Sequence, residues 1–185
     1  MKRSRYIFES ERLGFRRWKA DDKAVFARMN ADPQVMEYFP NTLTQAESDK
    51  LIQRFEQHTE ERGFGIWAVE HKEDGVFIGF IGLLEVGFDA GFQGAVEIGW
   101  RLDNKFWKQG YATEGARACL DYAFGVLGLD EIVSFTATLN LPSETVMQRI
   151  GMKKAGEFDH PKLAEDSPLR RHVLYRITAD EYAPQ

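Results

Sequence analysis

The stretch Trp107-Lys108-Gln109-Gly110-Tyr111-Ala112-Thr113-Glu114 decides how this sequence is interpreted, because it follows a predicted strand and opens a predicted helix. Its glycine and alanine stand two positions apart, so no large side chain blocks the approach of a ligand to the main chain there. Such a loop turns successive backbone N–H groups towards one point at the positive end of a helix dipole, a geometry that holds a pyrophosphate. Lys105 and Lys108 add positive charge nearby. Taken alone, the pattern also fits a helix start that merely uses a glycine.

Strand and helix patterns surround this loop. Strands are predicted where β-branched and aromatic residues concentrate, and the short connections between the central three favour antiparallel hairpins. Helices are predicted where apolar residues recur every 3.6 positions, and one begins at the T-x-x-E capping box of Thr44 and Glu47. The predicted strands cover 13–18, 66–70, 76–86, 95–102, 132–137 and 171–177, and the predicted helices cover 22–30, 45–62, 111–127 and 140–150. This order predicts an α+β domain with a mainly antiparallel sheet.

Length and composition narrow the class of protein. A chain of 185 residues argues for one domain over 1–185. Its 24 Lys and Arg against 29 Asp and Glu give a net charge of −5, which argues against binding to nucleic acid through its phosphates. The longest apolar run, 76–84, is too short to span a bilayer, and no apolar segment follows the basic start, so neither a membrane span nor a signal peptide is predicted.

Cysteine and histidine content bears on redox and metal chemistry. The single cysteine, Cys119, cannot form an internal disulfide, which favours a cytoplasmic location. The four histidines lie far apart and show no metal-ligand spacing, so no metal site is predicted. The oligomeric state is left open by the sequence.

The ordered set of motifs resembles the GNAT family of acetyl-CoA-dependent N-acetyltransferases, and within it the Rim-type branch of ribosomal-protein N-terminal acetyltransferases. The matching segments run through nearly the whole chain: 11–13, 97–102, 107–114, 140–143, 146–147, 151–152 and 171–175. The resemblance implies a GNAT-like α+β fold, whose mixed, mainly antiparallel central sheet is splayed at a β-bulge and flanked by helices. One departure is Trp107, where the family's loop often has Gln or Arg; Gly110 and Ala112 fit the pattern.

The resemblance implies acetyl-CoA as cosubstrate and assigns residues to it. The pyrophosphate would lie against the main chain of the loop residues Trp107, Lys108, Gln109, Gly110, Tyr111, Ala112 and Thr113. A glycine inside a strand commonly marks a bulge, and a bulge at Gly99 would free the main chain of Trp100, Arg101 and Leu102 to pair with the pantetheine arm. Asn140 is implied to donate a hydrogen bond near the cosubstrate.

Two residues are candidates for catalysis. Glu97 alternates to the sheet face that also carries Gly99, where a carboxylate is costly unless it is solvated or paired. Burial would raise its pKa to that of a general base, and an ion pair or an exposed sheet face is the alternative. In the resembled branch, the serine at the position of Ser143 protonates the leaving thiolate, and the resemblance implies the same role here. The alternative is that the Ser143 hydroxyl only caps a helix. His172 is expected to be structural or to line the substrate pocket.

The expected reaction moves an acetyl group from acetyl-CoA to a primary amine by direct attack, since Cys119 is expected to belong to the core. A lysine-like amine with a pKa near 10.4 is neutral in only about one molecule in ~2,500 at pH 7, whereas roughly 10–15% of an α-amine is neutral. A protein N-terminal α-amine is therefore the favoured acceptor, bound between the first helices and the segment 160–169, with Met36, Glu37 and Phe39. The alternatives are a small polyamine, amino sugar or amino acid, or a catalytically inactive acyl-CoA-binding sensor that would need neither Glu97 nor Ser143.

Overall fold

The computed structural model describes residues 5–184. The strands within them are β1 (Phe8–Glu9), β2 (Leu13–Arg16), β3 (Ile66–His71), β4 (Phe77–Glu85), β5 (Val96–Leu102), β6 (Glu131–Ala137), β7 (Lys153–Asp159) and β8 (Arg171–Thr178). The helices are α1 (Asp22–Ala31), α2 (Gln45–Arg62), α3 (Tyr111–Gly125) and α4 (Leu141–Arg149), with one 3-10 turn at Asn104–Phe106. No helix in this part of the chain is both long and apolar enough to cross a membrane.

All eight strands form one sheet in the order β1-β2-β3-β4-β5-β6-β8-β7. Neighbours pair antiparallel except β5 and β6, which run parallel and share the single residue pair Glu97–Val133. On its other side, β5 pairs with β4 over all seven of its residues. The predicted mixed, mainly antiparallel sheet is confirmed, and it splays between β5 and β6.

The splay does not come from an extra residue at Gly99. Pairing of β5 with β4 continues through Gly99, opposite Gly82, without a register shift. Register shifts occur instead in the pairs β3–β4 and β7–β8. The predicted bulge is therefore replaced by a simple divergence of β5 from β6 beyond their one shared pair.

Sequence patterns missed two strands. β1 has only two residues, too few to show the alternation of apolar and polar side chains that marks a strand. β7 reads Lys-Lys-Ala-Gly-Glu-Phe-Asp, which is polar and contains a glycine, because it is an edge strand that buries little. β7 forms a strand because it pairs with β8, and its own sequence shows no strand pattern.

Helices cover both faces of the sheet. The helix α3 presents Ala116, Cys119, Leu120 and Ala123, all fully buried, to a core that includes Ile98 of β5. On the opposite face, α1 and α2 pack aromatic and aliphatic side chains over β3 and β4 in a second cluster: Phe26, Met29, Ile52, Phe55, Ile66, Ala68, Phe77 and Phe80. The capping box predicted at the start of α2 is confirmed, with Gly63 ending the helix in the left-handed conformation.

A buried ion network ties β2, α1 and β3 together. The guanidinium of Arg16 donates to Glu70 at 2.7 Å and to both oxygens of Asp22 at 2.7 and 2.9 Å, and all three side chains are almost fully buried. Burial opposes ionisation of Glu70, but hydrogen bonds from Arg16, Tyr6 and Lys19 hold its pKa below the usual value. A carboxyl with a lowered pKa stabilises the fold at neutral pH and loses that contribution as the pH falls.

We expect Arg16→Met to lower the free energy of unfolding by about 3 kcal/mol at pH 7, because it leaves two buried carboxylates without their main partner. Urea titration followed by circular dichroism measures this change. The matched control is Arg17→Met, at an exposed neighbouring position, which should lie within about 0.5 kcal/mol of the wild type. Equal stability of the two variants would contradict the assignment.

Candidate active site

The divergence of β5 from β6 leaves main-chain groups unpaired. The amide of Asp103 donates to the carbonyl of Ile78 in β4 at 2.9 Å, and the carbonyl of Ala95 accepts from the amide of Val86, the residue after β4, at 2.8 Å. Because alternate residues of an antiparallel strand bond to the same neighbour, odd-numbered residues of β5 bond to β4 and even-numbered residues turn their N–H and C=O towards β6. No strand pairs with β5 on that side at Trp100. Trp100 therefore offers a free N–H and C=O in an open fork, whereas the main chain of Arg101 pairs with Phe80 of β4.

A serine closes the base of the fork. The buried hydroxyl of Ser134, in β6, donates to the carbonyl of Ile98 at 2.9 Å. At the other end of β5, the carbonyl of Leu102 accepts a hydrogen bond from the indole of Trp107 at 2.9 Å. The two bonds leave Trp100 between them as the position where a ligand can pair with the strand.

Glu97 lies half-buried beside the fork. It makes no hydrogen bond or ion pair with any residue from 5 to 184, and burial raises the pKa of its carboxyl to about 8. The ion-pair alternative is thereby removed. Gly99, the next residue on the same face, has open space where a side chain would be: a Cβ there would meet only the Oε1 atom of Glu97, at 3.9 Å. The carboxylate thus faces a hollow in the sheet surface.

The loop before α3 has the backbone conformation of an anion cradle. Lys108 and Gly110 both adopt left-handed conformations, with φ of 60° and 84°, and Gly110 precedes the helix without a side-chain cap. The amides of residues 108–113 find no acceptor in the part of the chain that the structure describes. Six consecutive free N–H groups at a helix N-terminus suit a pyrophosphate. Trp107, the departure from the family pattern, ties this loop to β5 instead of contacting a ligand through a polar side chain.

Arg12 is a functional candidate that the sequence analysis quoted only as part of a motif. Its amide and its Nε donate to the two oxygens of Glu114 at 2.8 and 2.6 Å, and its Nη2 donates to the carbonyl of Gln109 at 3.1 Å. Its guanidinium also lies 4.3 Å from the centre of the Tyr111 ring. Arg12, the residue before β2, therefore holds the cradle in place. Its partners in this contact are about 100 positions away in the sequence, so no local pattern indicates it.

Asn140 and Ser143 begin α4 at the end of β6. The side chain of Asn140 accepts from the amide of Ser143 at 3.3 Å and donates to Thr136 at 2.9 Å, so it acts as the N-cap. The hydroxyl of Ser143 has no partner among residues 5–184 and is half-buried. The alternative that Ser143 only caps the helix is therefore removed, because Asn140 performs that task.

Aromatic and histidine side chains form a wall on the Glu97 side of the sheet. Val133, the partner of Glu97, is followed on the same face by Phe135, whose ring lies 5.6 Å from Phe88. The rings of His160 and His172 are 4.9 Å apart within this group. Burial lowers both imidazole pKa values, that of His160 to about 4, so both rings are neutral at pH 7. His172 thus belongs to an apolar wall, as its predicted lining or structural role allows.

Cys119 takes no part in this site. It is fully buried on the inner side of α3, and burial raises the pKa of its thiol. A protonated, enclosed thiol cannot attack a thioester. Among residues 5–184, no three His, Cys, Asp or Glu side chains lie together in a way that could hold a metal ion.

Comparisons with known proteins agree with this geometry. Residues 12–153 match the family model described as the acetyltransferase (GNAT) domain. The FsC-acetyl coenzyme A-N(2)-transacetylase of Aspergillus fumigatus is 32% identical over 167 residues, which cover 84% of this chain and 68% of that protein. A GNAT-family acetyltransferase from Bacillus anthracis has a TM-score of 0.79 at 24% identity, over 94% of this chain and 99% of that one. Mycobacterium smegmatis RimJ, solved in complex with CoA-disulfide, has a TM-score of 0.76 at 22% identity, over 94% and 84% of the two chains.

The chain belongs to the acetyltransferase (GNAT) family, the class that its splayed sheet and its loop before α3 define. It is an N-acetyltransferase that uses acetyl-CoA.

Gly110→Ala tests the cradle. An alanine in the left-handed conformation costs roughly 1–2 kcal/mol, so the loop should shift and weaken the binding of CoA about tenfold. Isothermal titration calorimetry with CoA measures the dissociation constant. Gly125→Ala is the control, since Gly125 ends α3 with ordinary φ and no atom within 4 Å of an added Cβ. Unchanged CoA affinity in a Gly110→Ala variant that is as well folded as this control would argue against the cradle.

Proposed function

We propose that this enzyme transfers the acetyl group of acetyl-CoA to an α-amine, as found at a peptide or protein N-terminus, by direct attack in a ternary complex. The observation that carries the proposal is the unpaired carboxyl of Glu97, whose pKa is raised to about 8 beside the open fork. A carboxyl in that position suits a general base that accepts the proton of the amine.

The fork and the loop support a binding mode for acetyl-CoA. The free amides of residues 108–113 would hold the pyrophosphate, and the pantetheine arm would lie between β5 and β6 against the main chain of Trp100. The thioester carbonyl would then accept a hydrogen bond from a strand N–H, which stabilises the negative charge that develops on its oxygen. Residues 108–113 and Trp100 thus fit the predicted loop and strand contacts, with Arg101 left out of them.

The raised pKa of Glu97 favours an α-amine over a lysine-like amine. An α-amine has a pKa of about 7.7–8.0, so transfer of its proton to a carboxylate of pKa about 8 is nearly balanced. A lysine amine with a pKa near 10.4 would hold its proton more tightly than Glu97 by more than two pKa units. The similar pKa values of Glu97 and an α-amine are the physical reason for preferring this acceptor.

The reaction itself needs no covalent enzyme intermediate. The neutral amine attacks the thioester carbon, the C–N bond forms, the C–S bond breaks, and the amine proton passes to Glu97. The departing thiolate takes a proton, for which the free hydroxyl of Ser143 is the candidate donor. Solvent then returns a proton to the serine oxygen and takes the one that Glu97 accepted. The buried thiol of Cys119 excludes this residue as a carrier of the acetyl group.

The decisive experiment is a mass-spectrometric screen for acceptors that gain one acetyl group. The panel contains peptides with free or blocked α-amines, a polyamine, an amino sugar and amino acids, each with acetyl-CoA. The proposal expects acetylation of free α-amines and little of lysine side chains. Acetylation of the polyamine or amino sugar alone would replace it with a small-molecule acceptor, and tight CoA binding without turnover on any amine would favour a sensor.

Glu97→Gln tests the base. A carboxyl acts as a base only when ionised, so wild-type kcat/KM should rise with pH through about 8, and the variant should lose about 100-fold or more at pH 9. Titration of the acceptor amine persists in the variant, so the difference between the two pH profiles isolates Glu97. Glu131→Gln, which removes an ion-paired carboxylate from β6, should keep the wild-type profile.

Glu97→Gln should also change the thermal stability of the protein, which is measured independently of activity. The folded state retains a proton on Glu97 that the unfolded state releases above about pH 4.5, so this carboxyl destabilises the fold increasingly as pH rises towards about 8. Glu97→Gln should therefore unfold at a higher temperature than the wild type at pH 9, with a smaller difference at pH 5. Scanning calorimetry at the two pH values measures this, and a lower melting temperature at pH 9 would contradict the burial of an uncompensated carboxyl.

Ser143→Ala should lower kcat by roughly threefold to tenfold, because a thiol with a pKa near 8.5 leaves readily even without an acid. CoA affinity and stability should stay unchanged, since the hydroxyl of Ser143 makes no hydrogen bond within residues 5–184. Thiol release under saturating substrates measures kcat. A wild-type kcat would remove Ser143 from the reaction.

A further inference from the structure

We propose that Arg101 binds a carboxylate of the acceptor, so that the substrate is an amine that carries an acidic group on the order of 10 Å from its nitrogen. The inference rests on the proposed function, because it takes the amine to lie at Glu97. It adds the second point at which the acceptor is held and so defines the chemical class of the substrate.

The guanidinium of Arg101 is held in place without a counter-charge. Its Nη1 donates to the Oδ1 atom of Asn30 at 2.6 Å. Its Nε is buried and has no acceptor, and its Nη2 likewise finds none in the chain from residue 5 to residue 184. Burial lowers the pKa of Arg101 to about 10, which leaves it positively charged at neutral pH.

The buried charge of Arg16, by contrast, is compensated. The guanidinium of Arg16 meets two carboxylates, Glu70 and Asp22, at 2.7 Å each. A desolvated cation without a partner destabilises a fold, so its presence calls for a ligand that completes it. Arg101 has no such partner, and Glu97 on the same face is not ion-paired with it.

The free edge of Arg101 has the geometry for a carboxylate. Its Nε–H and Nη2–H are parallel donors, which is the arrangement that binds both oxygens of one carboxylate. Two aromatic rings lie near the guanidinium, with the ring centre of Phe39 4.1 Å and that of Phe80 5.3 Å from its Cζ atom. Asn30 is itself fixed by a hydrogen bond to Ser48 at 3.0 Å. The guanidinium is therefore held in one orientation, and its Nε–H and Nη2–H are the donors left without an acceptor among residues 5–184.

Gly99 lies between the two ends of the proposed acceptor site. Glu97, Gly99 and Arg101 share one face of β5, and the Cα atoms of the first and last lie about 13 Å apart along an extended strand. Gly99 contributes no side chain between them, so an acceptor can lie along the strand. An extended tripeptide spans about 10 Å between its amine and its carboxylate, which matches this separation once the side chains reach inwards.

This role for Arg101 differs from a contact with acetyl-CoA. The main chain of Arg101 bonds to β4, and its side chain contacts Asn30 of α1 and Phe39, on the opposite side of the sheet from α3. The free amides that suit the pyrophosphate lie at the start of α3. Phe39 also belongs to the segment that the sequence analysis expected to line the acceptor pocket.

Calorimetry on the CoA-saturated protein tests the proposal without relying on turnover. The probes are triglycine and triglycinamide, which differ only in the terminal carboxylate. Wild type should bind triglycine about tenfold or more tightly than the amide, since hydrogen bonds to charged groups are strong. Arg101→Met should bring the ratio of the two dissociation constants to about one, and Arg101→Lys should leave an intermediate ratio.

Two further variants provide a second test of Arg101 and a control for net charge. Asn30→Asp supplies Arg101 with an internal carboxylate, so it should abolish the preference for triglycine while retaining the arginine. Arg54→Met removes an exposed arginine of α2 and should bind like the wild type, which controls for net charge. Melting temperatures identify any variant that fails to fold, and Asn30→Asp then replaces Arg101→Met as the deciding variant.

The outcomes separate this inference from the proposed function. Equal affinity of wild type for triglycine and triglycinamide, or a preference that survives both Arg101→Met and Asn30→Asp, overturns the inference even if both peptides are acetylated. An Arg101-dependent preference without acetylation of either peptide supports the carboxylate site and contradicts the proposed acceptor.

Discussion

The structure depends on the parting of two parallel strands after one shared residue pair. Up to Glu97 and Val133 the sheet is continuous, and beyond them β5 keeps its partner on one side only. A strand that loses a neighbour must satisfy its polar main-chain groups elsewhere. Ser134 and Trp107 do so at the two ends, and Trp100 remains open between them. The fork is thus a gap in hydrogen bonding that a substrate can fill.

Charge is distributed in two contrasting ways. In the network of Arg16, Glu70 and Asp22, buried groups pair completely and hold the first helix against the sheet. Along the open face of β5, Glu97 and Arg101 are desolvated without partners, and burial shifts the pKa of each towards its neutral form. Unpaired buried charge lowers stability, and it is retained where binding or proton transfer uses it.

Local sequence signals predicted most elements correctly because they reflect local physics. The capping box of Thr44 and Glu47, the small buried face of α3 and the glycine before it each act over a few residues. The edge strand β7 escaped prediction because its partner, not its own pattern, makes it a strand. The role of Arg12 in anchoring the loop before α3 was not predicted, because its contact with Gln109 joins distant parts of the chain.

By itself, the sequence indicated the α+β class, most of the strands and helices in their order, and the candidate residues of the site, since periodicity, capping and loop glycines act within a short span. Only the tertiary structure decided which main-chain groups are free, that Arg101 turns towards α1 while its amide bonds to β4, and that Asn140, not Ser143, caps α4. These outcomes depend on strand register and on contacts between distant segments. Register and long-range packing are set by the whole fold, so no local pattern contains them.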